Sequence, residues 1–219
     1  MTTVLITGAN RGIGLEMARQ YHARGAQVIA TCRQASPDLA ELGVRVEEGI
    51  DVTADALGGL PEKLSGVHID VLINNAGILQ FDQLTPLDVD SLRQQYEVNT
   101  LGPIRTTSAL LANLGAGSKV ALITSRMGSI ADNTSGGRYG YRMSKAALNI
   151  AGVSMALDLA SSGISVAILH PGFVRTGMTG GAGFIDADEA ARGLIARIDG
   201  LTPENSGTFW HANGEVLPW

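Results

Sequence analysis

Apolar residues fall in short runs, unbroken at positions 4–6, 28–30, 71–73, 120–123 and 166–169 and interrupted by Arg45 at 44–46, with a weaker run near Phe209. Successive strand residues point to opposite faces, so a run that is apolar at every position marks a strand covered on both sides, as in a parallel sheet. Between the runs, apolar positions recur at helical spacing across 13–23, 91–114, 142–160 and 186–198. This alternation predicts an α/β fold: one doubly wound Rossmann-type domain over residues 1–219, with a mostly parallel sheet of about seven strands and helices on both faces. Ligands of such sheets bind at the carboxyl ends of the strands.

The helix over 142–160 carries an apolar stripe of Met143, Ala146, Ile150, Val153, Leu157 and Ala160, expected to face the core. Its other side, with Ala147, Ala151, Ser154, Met155 and Asp158, is mostly small or apolar too. A helix with two packable faces suggests a homodimer or homotetramer contact, or cover from another part of the same chain.

Composition narrows the partners. A formal net charge of −5 with no cluster of Lys or Arg argues against nucleic acid, which needs a basic face. No apolar run approaches the roughly 20 residues that cross a bilayer, and no leader pattern opens the chain, so the expectation is a cytoplasmic protein away from membranes. The lone Cys32 and the dispersed His22, His68, His170 and His211 show no metal-ligand spacing, and no metal is expected.

The first apolar run leads directly into T-G-A-N-R-G-I-G, with Gly8, Gly12 and Gly14 at the mouth of a helix. Glycine lets backbone approach a pyrophosphate closely, and a helix N-terminus offers free N–H groups and a positive dipole end. The usual dinucleotide pattern places an acid roughly 20 residues further on, for the adenosine ribose hydroxyls. Here the second run ends in Cys32 and Arg33, and no acid occurs between Gly25 and Pro37. Arg11 and Arg33 together suit a 2′-phosphate, which a carboxylate would repel, so NADP(H) is expected in preference to NAD(H).

Tyr141 and Lys145 stand four apart in Y-R-M-S-K, one turn apart on a helix face. A phenol titrates near 10, and an ammonium about 4 Å away at an effective dielectric near 20 would lower that by about three units. Such a tyrosine could serve as an acid or base near neutrality.

In order, T-G-A-N-R-G-I-G, D-V-T at Asp51–Thr53, N-N-A-G at Asn74–Gly77, V-N-T at Val98–Thr100, S-R-M-G at Ser125–Gly128, Y-R-M-S-K and H-P-G-F-V-R-T at His170–Thr176 resemble the short-chain dehydrogenase/reductases, and within them a carbonyl-reductase group. The resemblance implies catalysis by Ser125, Tyr141, Lys145 and Asn99. Tyr141 would protonate a carbonyl oxygen, Ser125 would polarise it, Lys145 would hold the nicotinamide ribose, and Asn99 would interrupt its helix and hold a water on the route to Lys145. It further implies cofactor contacts from Gly8, Asn10, Arg11, Gly12, Ile13, Gly14, Arg33, Asp51, Val52, Asn75, Ala76, Gly77, Tyr141, Lys145, Pro171, Gly172, Val174 and Thr176. For Asn74, Asn75 and Ala76 a purely structural turn is the alternative.

Asn133, Gly136 and Gly137 suggest a projecting loop before Tyr141, and the short glycine-rich segment 177–185 suggests an open substrate mouth. Met127, Leu79, Phe81, Phe173, Met178 and Phe184 are candidate wall residues, whereas Tyr139, six residues from Lys145, lies off the shared face. Two functions fit: NADPH-dependent reduction of a small aldehyde or ketone to an alcohol, reversible in principle, or a dinucleotide-binding regulatory or cell-signalling protein with vestigial catalysis.

Overall fold

In the computed structural model, which describes residues 1–219, the central strands are covered on both faces, whereas the edge strand at 45–47 is partly exposed. The chain runs β1 (Thr3–Thr7), α1 (Gly12–Ala23), β2 (Gln27–Thr31), α2 (Pro37–Ala40), β3 (Arg45–Glu47), α3 (Leu60–Lys63), β4 (Val71–Asn74), α4 (Val89–Tyr96), α5 (Gly102–Ala109), β5 (Lys119–Ile123), α6 (Tyr139–Ala160), β6 (Ser165–His170), α7 (Ala187–Asp199) and β7 (Phe209–His211). The seven strands form one parallel sheet in the order β3-β2-β1-β4-β5-β6-β7. The order reverses between β1 and β4, which opens a crevice at their carboxyl ends.

The period of two sorts residues between two cores. Val4 and Ile6 of β1 pack with Met17, Ala18, Leu194 and Ile195 of α1 and α7, while Leu5 joins Leu60, Leu64, Leu110 and Leu148 on the opposite face. No helix is long and apolar enough to cross a membrane.

Two expectations need correction. The middle helix is not continuous: α4 passes through a π-helical segment, Glu97–Leu101, into α5. On α6 the expected core stripe faces outward, with Met143, Ile150 and Leu157 exposed at 57%, 65% and 74%. The buried face is instead Ser144, Lys145, Leu148, Asn149, Gly152 and Ala156. Gly152 sets this rotation, because a Cβ there would lie 2.7 Å from Ile168 of β6. The helix is pressed against the sheet by its smallest residue, and Ser144, Lys145 and the Asn149 oxygen on that face are hydrogen-bonded, while Asn149 Nδ2 has no partner.

Candidate active site

The crevice is a cleft of about 1220 Å³ beginning at the turn after β1. Gly8 and Gly12 adopt left-handed φ values of 65° and 56°, a conformation costly for residues with a Cβ. At Gly14 a Cβ would lie 2.5 Å from both Asn75 Nδ2 and the carbonyl oxygen of Gly8. These positions fit the close approach of a phosphate. Arg11 precedes α1 without capping it by its side chain, so the first N–H groups of the helix open onto the cleft.

The turn after β4 clamps this loop from behind. Asn75 Nδ2 donates to the carbonyls of Thr7 (3.0 Å) and Gly8 (3.1 Å), and Thr7 Oγ1 accepts from the N–H groups of Asn75 and Ala76. Asn74 is buried and donates to Thr107 Oγ1. The Asn75 side chain therefore has a structural task, and its surface adds to the cleft wall.

Arg11, in the glycine turn with its Nη1 near Gly177, and Arg33, beyond β2, are exposed and neither is held by a carboxylate. Asp51 accepts from Thr53 N and Oγ1, and these bonds, with help from Arg33, hold its carboxyl below the usual range. A cleft with two glycines where a Cβ would be strained, uncommitted helix N–H groups and two unpaired guanidiniums fits an anionic dinucleotide with an extra phosphate.

Ser125, at the end of β5, accepts from Met127 N through its Oγ. The Tyr141 phenol lies close enough to the Ser125 hydroxyl that Ser125 acts to lower the phenol's pKa. Gly128 allows this approach: a Cβ there would sit 2.7 Å from the Lys145 carbonyl carbon. Lys145 Nζ donates to Ile123 O at 2.8 Å and lies 5.8 Å from the centre of the Tyr141 ring. Burial pushes Lys145 down to about 7.

The expected lowering of the Tyr141 pKa by Lys145 is not found here. Burial dominates and pushes the phenol up, with Ser125 and Arg138 opposing it. Desolvation disfavours both the phenolate and the ammonium, so the pair rests toward its neutral forms. The Asn99 side chain is held by protein groups. Its Nδ2 donates to Ile78 O and Ser144 Oγ, its Oδ1 accepts from Ile78 N, and Ser144 Oγ donates to Tyr141 O. Asn99 thus ties the π-helical segment to α6 and keeps one acceptor site on Oδ1 unused by the protein. A Cβ on Gly77 would lie 3.2 Å from Asn99 Oδ1 and 3.7 Å from Lys145 Nζ, so the missing side chain leaves room between them.

Of the expected cofactor contacts, Gly8, Asn10, Arg11, Gly12, Ile13, Gly14, Arg33, Asp51, Val52, Asn75, Ala76, Gly77 and Thr176 line the cleft. Tyr141, Lys145, Pro171 and Gly172 do not line it. Val174, also outside the lining, is buried and bridges to Ile185 at the base of the 177–185 segment. Sequence reasoning missed the wall formed by Gln34, Ala35 and Ser36, and the one formed by Arg93, Gln94 and Glu97. The S-P-D start of α2 was a signal for the first, since Ser36 accepts from Leu39 N as an N-cap. The second wall has no local signature.

The loop before Tyr141 is exposed, as expected. Arg142 binds it to α6 by donating to the carbonyls of Gly136, Gly137 and Met127 and to Ser135 Oγ. The 177–185 segment is largely exposed and carries Phe184 packed edge-on to Phe173 at 5.4 Å.

A parallel sheet with a crevice that fits phosphate at its switch point, and Ser125, Tyr141 and buried Lys145 grouped beyond β5, matches the class of nucleotide-dependent α/β oxidoreductases. The chain belongs to the short chain dehydrogenase family, whose model matches residues 2–183. It is 47% identical, over 100% of both chains, to 1-hydroxy-2-glutathionyl-2-methyl-3-butene dehydrogenase of Rhodococcus sp. strain AD45. It is 48% identical to C-signal of Myxococcus xanthus over 69% of this chain and 93% of that one. The fold matches NADPH-bound carbonyl reductase from chicken fatty liver with a TM-score of 0.90 at 29% identity, over 100% and 99% of the two chains.

Proposed function

We propose that the protein is an NADPH-dependent carbonyl reductase that converts an aldehyde or ketone to an alcohol. The observation that carries this reading is the grouping of Ser125 and Tyr141 beside buried Lys145, whose Nζ lies 5.8 Å from the centre of the Tyr141 ring, next to the dinucleotide-fitting cleft. Gly8, Gly12, Gly14 and the start of α1 would hold the pyrophosphate, Arg11 and Arg33 the 2′-phosphate, and Lys145 the nicotinamide ribose. The bound dinucleotide supplies the hydride that reaches the carbonyl carbon.

The protein's own residues manage the oxygen. Ser125 donates a hydrogen bond to the carbonyl, which polarises it and fixes its position beside the phenol. Tyr141 gives its proton as negative charge grows on that oxygen. A phenol kept protonated by burial is already in the form a reductase requires. Lys145, buried near neutrality in its pKa, can return a proton toward the phenol, while Asn99 fixes the segment that packs against α6. Run backward, the same groups oxidise an alcohol, the direction in the name of the Rhodococcus relative.

The test is a screen of NADPH and NADH oxidation over aldehydes, ketones and diketones, repeated with Tyr141→Phe. The variant is expected to lose about 100- to 10,000-fold in turnover while still binding NADPH. Unchanged turnover would overturn the assignment. The similarity to C-signal favours a second reading, a signalling role that needs no catalysis; absence of turnover across the whole screen would favour it.

A further inference from the structure

Arg138 stands three residues before Tyr141 and precedes the first turn of α6, with a left-handed backbone at φ 51° and ψ 48°. Apart from glycines, only Leu57 shares a positive φ, so the chain tolerates strain to place this side chain. The guanidinium lies over the ring of Phe81, 3.9 Å from its centre, and Phe81 is 81% exposed. Arg138 is itself partly buried, and its Nη1 is enclosed without any hydrogen-bond partner. Its charge is felt at the Tyr141 hydroxyl.

Neighbouring charges are committed elsewhere. Arg142 is spent on loop carbonyls, and Arg126 on Asp132 and Glu215. Asp82, next to Phe81, accepts from Gln95 and from Gly140 N through Oδ2; its Oδ1 is enclosed without a partner, and it forms no ion pair with Arg138. Folded proteins leave few enclosed donors without an acceptor, and those that persist are where a missing partner belongs. A planar fork beside an aromatic face, within electrostatic reach of the reacting phenol, suits a carboxylate.

We propose that Arg138 is a specificity-determining residue that pairs with a carboxylate on the substrate, so that the preferred substrates are aldehydes or ketones bearing an anionic carboxylate. The proposal rests on the carbonyl-reductase reading. Phe81 lies under the guanidinium and would form the apolar wall along which the body of the substrate lies.

The experiment compares para-carboxybenzaldehyde with its neutral methyl ester in NADPH-dependent reduction. The charged aldehyde is expected to have a kcat/KM at least about tenfold higher. Arg138→Gln should abolish that ratio, and Arg138→Lys should restore part of it. Equal use of the two aldehydes by the unmodified protein, or a ratio that survives in Arg138→Gln, would overturn the proposal. Calorimetric titration of the NADP-loaded protein with para-(hydroxymethyl)benzoate separates this from the parent reading. Binding that weakens about tenfold in Arg138→Gln supports the carboxylate site even if no aldehyde is reduced. No binding, or binding indifferent to Arg138, overturns it even if neutral aldehydes are reduced.

Discussion

Replacing Arg33 with alanine isolates what the extra phosphate of NADPH contributes to binding. Arg33 is exposed, lines the cleft and has no carboxylate holding it, so its loss disturbs little of the fold. Glu48, which accepts from Ala35 N, and Asp51, which lines the cleft and feels Arg33, are acids near this wall and would oppose a phosphate. One unit of opposite charge at about 4 Å is worth about 1 kcal/mol in water and about 4 at an effective dielectric near 20. For an exposed guanidinium with an acid nearby, the lower part of the usual 1.5–3 kcal/mol for a charge-assisted bond applies. A loss of about 1.5–2 kcal/mol is about 10- to 30-fold in Kd. Fluorescence titrations should show that loss for NADPH, a change of about twofold or less for NADH, and a smaller difference at high salt, where exposed charges are screened. Equal losses for both dinucleotides would refute the 2′-phosphate role.

Two further outcomes follow from packing and burial. Gly128→Ala should lower stability by about 1–3 kcal/mol and reduce kcat more than it weakens NADPH binding, because a Cβ 2.7 Å from Lys145 backbone must push Ser125 away from Tyr141; denaturation curves beside steady-state kinetics check both parts. His170 is held down to about 3, chiefly by burial and secondarily by His211 and Arg126, so the unfolded chain binds more protons below about 6.5 and stability falls with pH there. Between pH 7 and 5 the unmodified protein should lose about 2 kcal/mol relative to His170→Leu, measured by urea denaturation, and a pH-independent difference would refute this.

The strands were legible because being covered on both faces leaves an unbroken apolar run, and the glycine loop because tight backbone approach permits few residues. The orientation of α6 was not legible. Hydrophobic periodicity assumes that the apolar stripe faces inward, whereas Gly152 against Ile168 and the hydrogen-bonded Ser144, Lys145 and Asn149 turn a partly polar face to the sheet. The break at Glu97–Leu101 was anticipated only through Asn99, since the contacts that stabilise it lie at Ile78 and Ser144, far away in sequence. The same limit hid Arg138. Its significance comes from what it fails to pair with, and a lone sequence does not show partners.

Lys145 shows what the site costs the fold. Its folded pKa of about 7 lies below the roughly 10.4 of an unfolded lysine, so the unfolded chain binds more protons between those values and stability rises with pH across that window. At pH 7 the burial penalty amounts to about 4 kcal/mol, an upper figure. A methionine of similar shape would remove it and forfeit the bond to Ile123 O, worth about 1 kcal/mol. Lys145→Met should therefore be about 3 kcal/mol more stable at pH 7 in the cofactor-free protein, with the gap closing and then reversing as pH approaches about 10.4. Carbonyl reduction should be lost throughout. Chemical denaturation at a series of pH values decides the matter: a gap that does not narrow as pH rises would mean that the ammonium is not the destabilising species. If it narrows, a residue that packing alone would replace with methionine is retained at a cost in stability, which a role in moving protons or binding cofactor accounts for and a structural role does not.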